Sequence, residues 1–246
     1  MKTNLYIPRT YRSRCVNERF VQFEAVHRQS DLLILAKTNL YNKAMKLLMH
    51  LRQEIDAYIT LDSEFLTALS PINILNGAPE IVKDMAHSAK KMGVGPMAAV
   101  AGAVSEYIAR GLSKFSDEVI VENGGDNFII NKEPLIIGIY AGRSPLSMRF
   151  GIEIKSQPEG IGVATSSGTV GHSLSFGNAD SVTVLAKKGS LADAGATRIC
   201  NMVKTEDDIP EALNFAEQNP EILGTIIIFN NKIGIKGELL KLIRIK

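Results

Sequence analysis

The chain is poor in several things that would identify a class at once. Two cysteines, Cys15 and Cys200, are too few for a disulfide framework, so a reducing compartment, the cytoplasm, is expected. Aromatics make up only 6% of the 246 residues, and the net charge is only +2. A domain built to bind nucleic acid is normally more basic, so no nucleic-acid partner is expected. The opening MKTNLYIPRTYRSR has no apolar core of a signal peptide, so none is expected. The uncharged stretch Met92 to Ser105 has 14 residues, whereas a membrane span needs about 20, so a buried helix and no membrane partner are expected. There is no GxxxxGK[ST], no GxGxxG after a strand, no HExxH, no CxxC and no GxSxG. His27, His50, His87 and His172 lack metal-ligand spacing.

What remains is the pattern of a folded α+β protein, with 45% apolar and 22% charged residues. Residues 31–37 (DLLILAK) read as a strand, and 19–27 as a less regular one. Asn39 is placed to cap a helix running to about Thr60, whose apolar positions from Ala44 to Ile59 follow a period of 3.6. Helices are also expected from Pro79 to Met92, Met97 to about Phe115, Leu191 to Val203 and Ile209 to Gln218. Strands are expected at 118–122, 128–131, 135–140, 149–155, 162–165, 181–187, 225–230 and 232–236. Grouped strands and paired helices favour antiparallel sheets over a parallel βαβ sheet. A single domain over 1–246 is expected, in two intimate halves that meet near residue 116. The run MAAVAGAV from Met97 lacks large side chains, so another backbone or a ligand must come close to it.

Four segments could carry chemistry. In Ser190–Thr197 (SLADAGAT), Asp193 and Thr197 stand four apart, so their oxygens share a helix face. Such a pair can hold a hard cation with water, carbonyls and phosphate. Equally, Ser190 and Asp193 have capping-box spacing. Residues 160–179 (GIGVATSSGTVGHSLSFGNA) are rich in glycine and hydroxyls and can cradle phosphate through backbone N–H groups, or be a surface loop. His172 is the proton carrier there. The stretch Glu122-Asn123-Gly124-Gly125-Asp126 between two strands is a hairpin turn, or a turn that lets a ligand approach Asp126 or Glu122. Finally Arg9, Arg12, Arg14 and Arg19 surround Cys15. They form an exposed positive face, meet phosphate, or lower the thiol pKa.

In this order, GVGPMAAVAGA (93–103), VENGGD (121–126), ATSSGTVGHSLSFGNADSV (164–182) and LADAGAT (191–197) resemble a family within the ApbE-like superfamily. YRSR, SDLLILAK, Arg52 and AGRSPLSMRFGI (141–152) fit as well, so the resemblance spans nearly the whole chain. It implies an α+β, T-fold-like architecture of duplicated antiparallel sheets with paired helices. The better-known branch consists of magnesium-dependent FAD:protein FMN transferases. That branch implies a metal on Asp193 and Thr197 with a backbone carbonyl near Ala98. It implies a flavin beside Gly124, Gly125 and Asp126, and a cleft lined by Thr165, Ser166 and Gly168. Magnesium and FAD or FMN are the implied cofactors, with His172 or Asp126 as the base. Two departures stand out: Ala99 falls about where the transferases carry lysine, and Gly171–Gly177 replaces a longer His-Asp-Pro segment. A non-catalytic module for a small ligand, a sulfur-handling role through Cys15 and self-association into a homo-oligomer stay open.

Overall fold

A computed structural model of the chain describes residues 12, 18–169, 175–237 and 240–245. The elements in chain order are β1 (Val21–His27), β2 (Ser30–Ala36), α1 (Tyr41–Leu61), α2 (Glu64–Thr67), α3 (Glu80–Met92) and α4 (Val100–Leu112). There follow β3 (Val119–Asn123), β4 (Asp126–Asn131), β5 (Leu135–Gly138), β6 (Phe150–Ile154), β7 (Gln157–Ser166) and β8 (Ser181–Ala186). The chain continues with α5 (Gly189–Met202), α6 (Ile209–Glu217), β9 (Ile222–Phe229), β10 (Lys232–Lys236) and β11 (Leu242–Arg244). Short 3-10 turns at Pro96–Ala99 and Glu206–Asp208 lead into α4 and α6.

Eight strands form one antiparallel sheet in the order β1-β2-β3-β4-β7-β8-β9-β10, and β11-β6-β5 form a second. Helices are inserted between β2 and β3 and again between β8 and β9. The first four strands of that order, β1 to β4, join the last four, β7 to β10, at the β4–β7 pairing.

Both faces of the wide sheet are covered. On β2, Leu32, Ile34 and Ala36 pack into the core under the helices, whereas Leu33 and Leu35 enter the core beneath the small sheet. This is why β2 reads as an unbroken apolar run rather than an alternating one. On β7 the same alternation puts Ala164 under the helices and Ile161 and Val163 in the other core. Among the described residues no helix is long and apolar enough to cross a membrane.

Local features mark the start of α1 and the end of α3. The side chain of Asn39 accepts the Tyr41 N–H at 3.0 Å, and α1 buries Ala44, Leu48, Leu51, Ile55 and Tyr58 along one face. Helix α3 ends at Gly93, whose left-handed backbone (φ 68°) closes the last turn. The small residues at the start of α4 are explained by another backbone. A Cβ on Gly102 would lie 2.1 Å from the Gly189 carbonyl oxygen, and one on Gly189 would lie 2.3 Å from the Gly102 carbonyl oxygen. A Cβ on Gly162 of β7 would come within 2.7 Å of the Gly189 Cα. Sheet, α5 and α4 are therefore stacked through three glycines.

Because the obstructing atoms are backbone, they cannot swing aside. Gly102→Ala is expected to cost about 3 kcal/mol of stability through forced separation of the two helix starts. Urea unfolding checks this, and an unchanged midpoint would refute the contact.

Candidate functional site

The first N–H groups of a helix need outside partners. Ala99, which precedes α4, offers no side-chain cap. Asp193 of α5 supplies it across the helix pair: the Gly102 N–H donates to Asp193 Oδ2 at 2.9 Å, and the Ala101 N–H also reaches this carboxylate. The arrangement is reciprocated. The Gly189 N–H at the start of α5 donates to Glu106 Oε2 of α4 at 2.7 Å, while Arg110 Nε donates to Oε1 at 2.8 Å. Ser190 is not the cap that its spacing suggested. Helix α5 begins at Gly189, and the Ser190 hydroxyl instead meets the Ser88 hydroxyl at 2.9 Å. The capping box is overturned because a carboxylate from another helix takes that role. Glu106 escaped the sequence reading; its one signal was a lone acid closing an uncharged helical run.

Asp193 makes no ion pair with Lys or Arg among the described residues. Burial pushes its carboxyl up to about 7, against the opposing pull of the Gly102 and Ala101 N–H groups. The side chain nevertheless keeps part of its surface open. Thr197, one turn further along the same helix face, is also partly open, and its hydroxyl has no hydrogen bond among the described residues. Ala98 lies in the 3-10 turn Pro96–Ala99, which packs against α5. Among the described residues no three His, Cys, Asp or Glu side chains gather to hold a metal. A cation at Asp193 would therefore depend on hydroxyl, carbonyl, water and ligand oxygens.

The Gly124–Gly125 turn joins β3 to β4 with φ of 72° and 108°. Both values suit a two-residue hairpin turn and favour glycine. The turn is tied to the start of α4. Asn123 Nδ2 donates to the Ala101 carbonyl at 3.4 Å, and Ser105 Oγ donates to the Asp126 carbonyl at 2.9 Å. Asp126 Oδ1 accepts the Thr165 N–H at 3.2 Å. The structure thus brings the turn, Asp126 and Asp193 to one neighbourhood, residues 101–105 of α4. Glu122 holds the turn from the opposite face of the sheet, accepting the Gly125 N–H at 2.9 Å.

The remaining candidates divide. Ser166 is buried beside Cys200 near the far end of α5. The Thr165 hydroxyl meets that of Thr183 at 2.9 Å. By strand alternation both threonines lie on the sheet face away from the helices. Gly168 is a packing position, where a Cβ would lie 2.0 Å from the Gly177 carbonyl oxygen. His172 and Cys15 lie outside the described residues. Cys200 is a free, buried thiol whose pKa is raised by burial, which makes it a poor nucleophile. The reading of Arg12 and Arg19 as an exposed basic face is corrected. Arg12 is buried against Glu122 and Asp31, and Arg19 pairs with Glu118.

A family model described as "AbpE bacteria" matches residues 12–218. The chain belongs to this family. It is similar to the UPF0280 protein of Methanococcus vannielii, 43% identical over 92% of this chain and 94% of that one. The UPF0280 protein of Methanocaldococcus jannaschii is 41% identical over 83% of this chain and 85% of its own. Among solved structures, the apo flavinyl transferase ApbE of Pseudomonas stutzeri has a TM-score of 0.57 at 12% identity, covering 90% of this chain and 95% of that one. The ApbE protein of Thermotoga maritima has a TM-score of 0.53 at 15% identity, covering 89% and 97%. These likenesses show the ApbE fold.

In this family member the state of Asp193 has a pH consequence. With its folded pKa raised from 3.8 to about 7, the native protein holds a proton that the unfolded chain has released in that window. Stability without divalent cation therefore falls as pH rises from about 4 to about 7. Asp193→Asn removes this slope, so the variant's melting temperature relative to the parent is expected to rise from about pH 5 to about pH 7 in chelator and to level off above it. A pH-independent difference would count against the ionisation.

Proposed function

We propose that this chain binds a flavin nucleotide, FAD or FMN, through a divalent cation at Asp193, and that the nucleotide's phosphate is the group that reacts. The observation that carries the reading is one carboxylate. Asp193 is kept from its ordinary charge by burial, lacks a basic partner among the described residues, and stands one turn from the open hydroxyl of Thr197. A divalent cation supplies the positive charge that this spot lacks. The residues fit magnesium, which keeps several water and phosphate oxygens and needs few protein ligands. Asp193, Thr197 and the Ala98 carbonyl would hold it. When bound, magnesium neutralises a pyrophosphate and favours departure of its bridging oxygen.

The chain's own groups have separable roles in this reading. Gly124 and Gly125 keep side chains off the turn so that a planar ring can approach its backbone. Asp126, next in line, is the proton acceptor, with His172 as the other candidate. Ser166 and Gly168 shape the far end of the same wall. The Pseudomonas stutzeri chain is by name a flavinyl transferase, and transfer of that kind is the reaction proposed here: an acceptor hydroxyl bonds to the FMN phosphorus of FAD and gives its proton to the base, while the pyrophosphate P–O bond breaks and AMP leaves. We place it in the cytoplasm, since two cysteines are too few for a disulfide framework.

A binding-only module is the second reading. It is favoured by Ala99, buried just before α4, about where the resemblance to the transferases implies a lysine. Release of AMP from FAD with magnesium decides between the two. Flavin held without AMP release would make the protein a carrier, and no flavin uptake at all would sink both readings.

Three variants test the site. Asp193→Ala is expected to abolish magnesium binding in calorimetry, and Thr197→Val to weaken it about tenfold. Unchanged affinities would refute the metal pair. Gly125→Val is expected to abolish FAD uptake while the fold persists. The nearest obstacle to a Cβ there is the Thr165 carbonyl oxygen at 3.6 Å, so the effect arises from the backbone, whose φ of 108° a valine resists. Unaltered FAD affinity would leave the turn with a purely structural part.

A further inference from the structure

The side chain of Arg12 is buried and ties together two strands and the turn. Its Nε and Nη2 lie 2.7 and 2.6 Å from Glu122 Oε2. Nη1 donates to Asp31 Oδ1 at 2.8 Å, and Nη2 to the Asp31 carbonyl at 2.8 Å. Nη1 also stands 3.4 Å from Glu24 Oε1. The guanidinium thus fastens β2 to β3. Glu122, however, does more than answer Arg12. Its second oxygen, Oε1, accepts the Gly125 N–H at 2.9 Å.

Strand pairing sets Glu122 opposite Leu33 and Asn127, on the sheet face away from α4 and α5. Asn127 Nδ2 donates to the Gly125 carbonyl at 3.0 Å. Both backbone groups of Gly125 are therefore held from that face. The bonds of Asn123 and Asp126 to α4 hold the turn from the other. A fork-shaped cation engaging one carboxylate oxygen holds the acid in one rotamer. A carboxylate fixed in this way is in turn a strong acceptor for an N–H group.

We infer that Arg12 is a positioning residue for the candidate site: through Glu122 it sets where the Gly124–Gly125 turn, and Asp126 after it, stand. A plain β2–β3 staple would need only Asp31 and Glu122 Oε2. The bond from Glu122 Oε1 to the turn carries the effect onward. The ligand half of this inference rests on the flavin reading above; the turn half does not.

The experiment compares the full-length protein with Arg12→Lys and Glu122→Gln, alone and together. Amide hydrogen exchange of Gly125 by NMR reports the turn, and quenching of FAD fluorescence with magnesium reports the ligand. Arg12→Lys keeps the charge and loses the fork. It is expected to speed Gly125 exchange and weaken FAD binding, each about tenfold, with exchange in β8 and β9 and magnesium affinity unchanged. Glu122→Gln should do the same, and the double variant should add little, because both act through one connection. Lower thermal stability with parental Gly125 exchange would overturn the inference and leave a staple. Additive effects of the two substitutions would overturn it as well. Should the parent take up no FAD, the flavin reading fails, while Gly125 exchange still decides the part played by Arg12. Should Arg12→Lys not fold, the isosteric Glu122→Gln decides the matter by the same two readouts.

Discussion

The close approach of two helix starts governs this molecule. Gly102 of α4 and Gly189 of α5 touch backbone to backbone, and each helix lends the other a carboxylate for its bare N–H groups. The two devices need each other. Without the glycines, Asp193 and Glu106 would be too distant to cap; without the caps, buried N–H groups would lack partners at the tightest point in the fold. The caps differ in what surrounds them. Glu106 also meets Arg110, whereas Asp193 has no cation beside it among the described residues. The same structural motif thus pairs one acid with an arginine and, among the described residues, leaves the other without a cation.

The hairpin turn shows how the sheet serves the site. Neighbouring strands place Asn123 and Asp126 toward α4 and Glu122 and Asn127 toward the opposite layer. A two-residue turn with positive φ at both positions would be pliant by itself. Here hydrogen bonds approach it from both faces of the sheet, so its place follows the placement of the strands.

Much of the fold was legible in the residues. The helical periods of α1 and α3, and the strand runs of β2, β8 and β9, stand where pattern put them, because burial on one face or both leaves a direct mark on sequence. The small-residue run at α4 signalled a close approach, and the structure shows that the approaching group is the backbone at Gly189. What could not be read is what depends on distant partners. Ser190 had cap spacing, yet Glu106, 83 residues away from the Gly189 N–H, is the acceptor. The shared helix face of Asp193 and Thr197 was legible from their spacing, but Arg12 was not legible as a buried group. An arginine among other arginines looks like surface until Asp31 and Glu122 are seen around it.

The small sheet carries one more consequence. Its middle strand, β6, has β5 on one side and β11 on the other. β5 comes from the excursion between β4 and β7, and β11 arrives after the last strand of the wide sheet. Leu240 and Leu242 pack against the second core, and Leu240 packs over Gly224. The segment 240–245 is thus a clasp that folds back under the wide sheet. Trimming it would expose both the unpaired edge of β6 and the apolar floor of the wide sheet, the kind of surface through which chains adhere to one another.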